Sequence, residues 1–271
     1  MSIDQSPHIL KATESESVLD VFTVGQITGT FNAQKGVPQQ ALTLDQLYQT
    51  AEKTTEILRR SILEKTLDLT DIQQVKIGNV KDRDHAKDKI LTKYDGEGRF
   101  INDIVRGMIT VDTGGELVQL DTLLSDPDSE LLKGTGIFVV DSSDHFETPI
   151  DYTHYRCKQY KLAIPTELGE PHIVELQIVS SGIEAVYDLT HPYKRAAEDI
   201  FTKAKQEGRA ELTEEEQESV ARNYAVCQYF NSKMAHKDGF DYALRDKDKY
   251  GFSEERQDAL SPYVTLEGLE L

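Results

Sequence analysis

Pro171-His172-Ile173-Val174-Glu175-Leu176-Gln177-Ile178-Val179-Ser180 has the two-residue period of a strand. Ile173, Glu175 and Gln177 fall on one face, and Val174, Leu176 and Ile178 on the other. The second face needs a core to cover it. The first carries a carboxylate and an amide. It either meets water, as one side of an antiparallel sheet does, or it lines a cleft where the carboxylate can hold a metal ion or take a proton.

Elements read outward from this strand set the fold class. Thr43 and Gln46 form a capping-box signature, and Leu44, Leu47, Tyr48, Ala51 and Leu58 recur at helical spacing to about Lys65. Further strands are expected at 75–79, 104–112, 137–141 and 155–164, with a strand or hairpin at 21–32. Helices are expected at 81–94 and 116–124. After Gly182 the chain reads as helical. One helix, or a pair interrupted near Pro192, spans 183–206, and another, capped by Thr213 and Glu216, runs to about His236. The expectation is an α+β protein: a nucleotidyltransferase-like mixed sheet of four to five strands flanked by helices. A lead-in at 1–40, a catalytic domain at 41–205 and a C-terminal helical extension and tail at 206–271 complete the division.

Bulk properties narrow the function classes. The 271 residues are 38% hydrophobic, enough to bury a core, and the net charge of −18 repels phosphate backbones, which argues against bulk nucleic-acid binding. The two cysteines, Cys157 and Cys227, form neither a zinc-binding spacing nor a disulfide framework and point to a reducing compartment. No activating partner for either is visible, so a thiolate nucleophile is not expected. The polar start lacks a signal-peptide core and no apolar run is long enough to span a bilayer, so a cytoplasmic location without membrane contact is expected. Secretion by a route that reads no N-terminal signal stays open, as does assembly into an oligomer.

Three other constellations carry chemistry. Lys81, His85 and Lys89 recur every fourth residue, one stripe of a helix that can grip a polyphosphate or else face water beside Asp82, Asp84 and Asp88. Asp103, ahead of the 104–112 strand, can join Glu175 in a two-carboxylate cradle for Mg²⁺, or merely cap a turn. The run 151–158 gathers Tyr152, His154, Tyr155, Arg156 and Lys158, able to stack on a base and neutralise phosphate, or to build an ordinary strand.

In order and spacing these pieces resemble the RelA/SpoT-like alarmone synthetase domain, over about residues 40–205. The motifs are Lys81…His85…Lys89, Asp103-Ile104, 151–156, Glu175-Leu176-Gln177-Ile178-Val179-Ser180 and His191-Pro192-Tyr193-Lys194. The resemblance implies a pyrophosphokinase that moves the β,γ-pyrophosphate of ATP to a 3′-hydroxyl. Lys81, His85, Lys89 and Arg106 would bind ATP. Asp103 and Glu175 would be catalytic and hold Mg²⁺. Tyr152, Arg156, Lys158, Gln177 and His191 would serve the acceptor. The chain departs from the pattern on the acceptor side. Asp151 replaces a Gly, Arg156 a His and Val179 an Arg, and Arg106 sits two places early. The acceptor therefore stays open between a GDP/GTP-like nucleotide, another nucleotide and an RNA end such as the 3′ end of tRNA. An inactive nucleotide- or protein-binding relative and a different nucleotidyl transfer stay open as well.

Overall fold

The computed structural model describes residues 37–39 and 43–264. Of the expected lead-in at 1–40 only 37–39 fall among them, and the strand or hairpin at 21–32 lies outside them. Helix α1 (Leu44–Leu58) starts at the Thr43 capping box, passes through a π-helical turn (Arg59–Glu64) and continues as α2 (Lys65–Leu69). Strand β1 (Gln74–Ile77), helix α3 (Arg83–Lys93), strand β2 (Arg106–Val111), helix α4 (Gly114–Ser125) and strands β3 (Phe138–Asp144), β4 (Lys158–Ile164) and β5 (His172–Ser180) follow. Helices α5 (Ser181–Ala185), α6 (Tyr187–Gln206) and α7 (Glu214–Lys237) come next, then short turns, α8 (Lys247–Tyr250) and α9 (Glu254–Leu260).

The five strands form one mixed sheet in the order β1-β2-β5-β4-β3. Only β2 and β5 run parallel. Strand β5 is central, and burial covers both of its faces: Glu175 is 7% exposed, not the water-facing residue of a one-sided sheet. One face carries Val174, Leu176 and Ile178 into the main core with Leu47, Leu58, Leu63 and Leu120. Gly107 of β2 lies beside Leu176 there. A Cβ on it would come within 3.2–3.4 Å of Leu176, Leu58 and Leu63, so glycine keeps β2 close to α1.

The opposite face is roofed by α6 and α7. Val179 and Cys157 pack against Ile183, Val186, Val226 and Phe230. A second cluster joins Ala197 and Phe201 of α6 to Val220 and Tyr224 of α7. Helix α7 is thus a wall of the same α+β body. The break in the 181–206 helix falls at Val186, and Pro192 sits inside α6. Pro192 is the sixth residue of that helix, past the first-turn N–H groups that lack an intrahelical acceptor, so it withholds the N–H that would otherwise bond the Asp188 carbonyl. No helix among the described residues is long and apolar enough to cross a membrane.

Candidate functional site

A cavity of about 490 Å³ opens between the α6/α7 face of the sheet and helix α3. The strand register decides which side chains reach it. Arg106 lies beside Glu175 on parallel β2 and β5, and Lys161 lies opposite Glu175 across antiparallel β4 and β5. All three therefore point to one face.

Asp103 and Glu175 both line this cavity. Asp103 is 6% exposed, and its Oδ2 accepts from Lys89 at 2.7 Å and pairs with Lys81 at 3.1 Å. Its Oδ1 is buried without a hydrogen-bond partner. Burial alone would raise its pKa, but Lys89 and Lys81 hold the carboxyl far below the usual carboxylate range. Burial likewise pulls the Lys81 ammonium down, while the charge of Asp103 overcomes burial at Lys89 and holds it up.

Glu175 has a different neighbourhood. Its Oε2 accepts from Lys161 at 2.5 Å and its Oε1 from the Gln177 amide at 2.7 Å. Tyr155 in turn donates its phenol to Gln177 Oε1 at 3.1 Å, which fixes the sense of that amide. Burial keeps the Tyr155 phenol protonated and able to donate. Burial and the charge of Asp103 push Glu175 up, but Lys161 and Lys89 prevail and leave its pKa below the ordinary value.

Lys161→Met reverses that balance. In the wild type the lowered pKa contributes stability that is present above the unfolded value and lost as pH falls through the folded one. In the variant, burial and Asp103 carry the Glu175 pKa above the unfolded value of about 4.3. Variant stability then declines as pH rises from about 4 to the new pKa, a window in which the wild type stays level because its gain is completed below the unfolded value. Carboxyl ¹³C titration by NMR, with urea midpoints across the same pH range, reads both behaviours. A Glu175 titration unchanged in the variant would break the assignment.

The lysine stripe forms differently from its sequence reading. Lys81 precedes α3, because Asp82 is the N-cap and accepts from the backbone of Asp84 and His85. Lys81 reaches the cavity from extended chain pinned by its N–H to Ile104 O and by Tyr48 OH to its carbonyl. Lys89 comes from α3. His85 lies at the mouth, its Nε2 2.6 Å from Arg195 of α6. Below it Lys93 and Glu198 close the two walls at 2.7 Å. Lys93 and Lys194 offset the burial of Glu198 and hold its pKa at about 2.

Among the acceptor-side residues, Tyr152, Gln177 and His191 line the cavity. Tyr152 leans on Tyr224 of α7, with ring centroids 4.9 Å apart. His191 stacks on Tyr187 at 5.1 Å, and burial lowers its pKa to about 4, so the ring is neutral near pH 7. Arg156 and Lys158 do not reach the cavity. Arg156 is fully buried, bound to Asp241 at 2.6 Å and to the Tyr250 carbonyl at 2.9 Å. Lys158 lies on the other sheet face, where it pairs with Asp121 at 2.7 Å. Strand parity separates it from Gln159 and Lys161.

Sequence reasoning missed Lys161, Tyr187 and Asn231 and gave no site role of their own to Tyr155 and Lys194 within the motifs that hold them; all but Lys161 are among the cavity residues. Lys161 had a usable signal. Reading 158–164 and 172–180 as one hairpin about the turn between them pairs Ile164 with His172, and that register carries Lys161 to Glu175. Both cysteines line the cavity as thiols, and burial pushes Cys227 up to about 12.

The donor set fits a hard divalent ion. Two carboxylates face one cavity, and Asp103 Oδ1 has a free buried lone pair. Among the described residues no three His, Cys, Asp or Glu side chains cluster to hold a metal by themselves. Mg²⁺ suits such a pair, because it takes the rest of its shell from phosphates and water.

No protein-family model matches the chain, and no curated protein matches it. Among solved structures the chain is similar to small alarmone synthetase 1 from Bacillus subtilis bound to its product pppGpp, with 18% identity, 71% of this chain and 93% of that one covered, and a TM-score of 0.43. It is also similar to a GTP pyrophosphokinase family protein from Streptococcus pneumoniae (15% identity, 74% and 98% covered, TM-score 0.43). The type VI effector Tas1, in complex with its immunity protein, is a third (17% identity, 74% and 99% covered, TM-score 0.36). At these identities and TM-scores the likeness carries no functional weight.

Proposed function

We propose that this chain is a Mg²⁺-dependent pyrophosphokinase that transfers the β,γ-pyrophosphate of ATP to the 3′-hydroxyl of a nucleotide or an RNA end. One observation carries the proposal. Two buried carboxylates from distant parts of the chain, Asp103 and Glu175, face one cavity with a lysine already on each. The order of motifs along the sequence points the same way.

In this reading Lys81, Lys89 and Arg106 take the triphosphate, with His85 at the mouth. Arg106 Nε is buried without a partner and so is free to donate to a phosphate oxygen. Asp103 and Glu175 would hold Mg²⁺, which would supply positive charge against the triphosphate as it reacts. Gln177 and Tyr155 keep Glu175 oriented, and Tyr152 and His191 flank the acceptor. The acceptor 3′-oxygen bonds to the β-phosphorus, the bond from that phosphorus to the oxygen bridging to the α-phosphate breaks, and AMP leaves. Glu175 has both oxygens engaged and a lowered pKa. It therefore orients the hydroxyl and passes its proton on to water more readily than it keeps it.

The acceptor loop supports a second reading, an inactive nucleotide-binding relative. Arg156 is committed to Asp241, and Asp151 to Lys249 at 2.8 Å. One assay separates the two. With γ-labelled ATP, Mg²⁺ and a panel of nucleotides and tRNA, the wild type labels an acceptor and Glu175→Gln loses at least about a hundredfold of that rate. Label that never leaves ATP, with ATP still bound, selects the inactive relative. Label released as free pyrophosphate, with α-labelled ATP marking the acceptor instead, selects nucleotidyl transfer.

A further inference from the structure

Asn231 of α7 lies on the cavity wall and is 2% exposed. Its Nδ2 donates to the Thr153 carbonyl at 3.0 Å. A carbonyl only accepts, so this bond fixes the sense of the amide and turns Oδ1 away from Thr153. That Oδ1 has no hydrogen-bond partner. A buried amide oxygen without a donor is uncommon, and where it lines a cavity a ligand can supply the missing hydrogen. The other unpaired polar atoms of the cavity ask for different chemistry: Arg106 Nε offers a donor and Asp103 Oδ1 an acceptor beside two lysines. Only Asn231 is tied to the residue that follows Tyr152, the one aromatic of the 151–154 turn on the cavity wall. Gln228, one helical turn earlier, reaches the Asp151 and Tyr152 carbonyls at 3.4 Å. Helix α7 therefore both fastens this turn and presents a vacant acceptor on the same cavity wall as a ring able to stack on a base.

We infer that Asn231 Oδ1 is a base-reading contact, accepting an N–H from the Watson–Crick edge of a purine held against Tyr152. The subsite deepens the nucleotide-binding reading, yet its test measures binding alone. A site built to accept a hydrogen bond rejects an analogue that lacks the donor, because the oxygen is then left bare.

Calorimetric titration of the full chain with GDP, IDP, ADP and purine riboside 5′-diphosphate tests this. The last has no N–H donor on that edge. The expected result is that the best donor-bearing purine binds at least about tenfold tighter than purine riboside diphosphate. Asn231→Leu should erase that preference and leave inorganic tripolyphosphate binding unchanged. Equal affinity of the wild type for purine riboside diphosphate overturns the proposal, and so does a preference that survives in the variant. The wild-type series decides even where Asn231→Leu folds poorly. Absence of pyrophosphate transfer alongside a donor preference leaves the subsite standing and removes only the catalytic reading. Transfer without the preference does the reverse.

Discussion

Asp103→Asn is expected to stop pyrophosphate transfer, by at least about a hundredfold, while holding ATP or tripolyphosphate at least as tightly as the wild type. The two effects separate because Asp103 has two relations to the cavity. Its Oδ2 occupies Lys89 and Lys81 at 2.7 and 3.1 Å. A polyphosphate must draw those ammonium groups away, so the wild-type carboxylate competes with the ligand it helps to process. Asparagine removes the competing charge and, with it, one of the two carboxylates that fit Mg²⁺. The ligand-free variant should also be less stable by about 3 kcal/mol, since two largely buried cations lose their counter-charge. Tripolyphosphate should restore that loss by binding the folded state alone. Calorimetry, thermal melts with and without tripolyphosphate, and label transfer give the three readings. Loss of polyphosphate binding together with turnover would make Asp103 a scaffold for the lysines. Undiminished turnover would remove the catalytic proposal.

The alternation at 171–180 was enough to place Glu175 and Gln177 on one face, and capping boxes at Thr43 and Thr213 marked helix starts that the structure keeps. The α+β class and the mixed sheet of five strands follow the same periodicities. What escaped were features set by tertiary register. Lys81 looked like part of a helical stripe because spacing does not reveal that Asp82 is the cap. Lys158 shared a short run with Tyr152, but the strand beginning at 158 turns it to the far face. Arg156 looked like a phosphate ligand, and its partner Asp241 lies 85 residues away in a segment with weak periodicity. The 206–271 extension was separable on paper, whereas Tyr224, Cys227 and Asn231 of α7 pack on or line the site.

Asp241→Asn carries the largest expected loss of stability, about 3–5 kcal/mol, because it strands a fully buried guanidinium. Arg156 Nη1 meets Asp241 Oδ1 at 2.6 Å, and Nη2 is left with the Tyr250 carbonyl. Burial already lowers the Arg156 pKa, with Asp241 as the opposing influence. The guanidinium cannot shed its proton near neutral pH, so the cost falls on the fold. The neighbouring turn has little slack, since buried His154 sits at a φ of 52°, unusual for a residue with a side chain, and is kept there with Nδ1 2.9 Å from Ser232 Oγ. Tyr250 OH and Lys249 hold Asp151 at 3.2 and 2.8 Å, which ties the same turn to α8. Arg156→Met should cost less than Asp241→Asn. It leaves only a partly exposed carboxylate, which retains His236 at 2.7 Å, and it keeps an apolar stem in the core. The double variant Arg156→Met/Asp241→Asn should recover part of the Asp241→Asn loss, as removing both charges does for buried pairs. Urea unfolding of the four proteins gives the cycle. Costs that simply add would mean that the pair is not coupled and that the turn bearing Tyr152 is held by α7 and the Asp151 contacts to α8 without it.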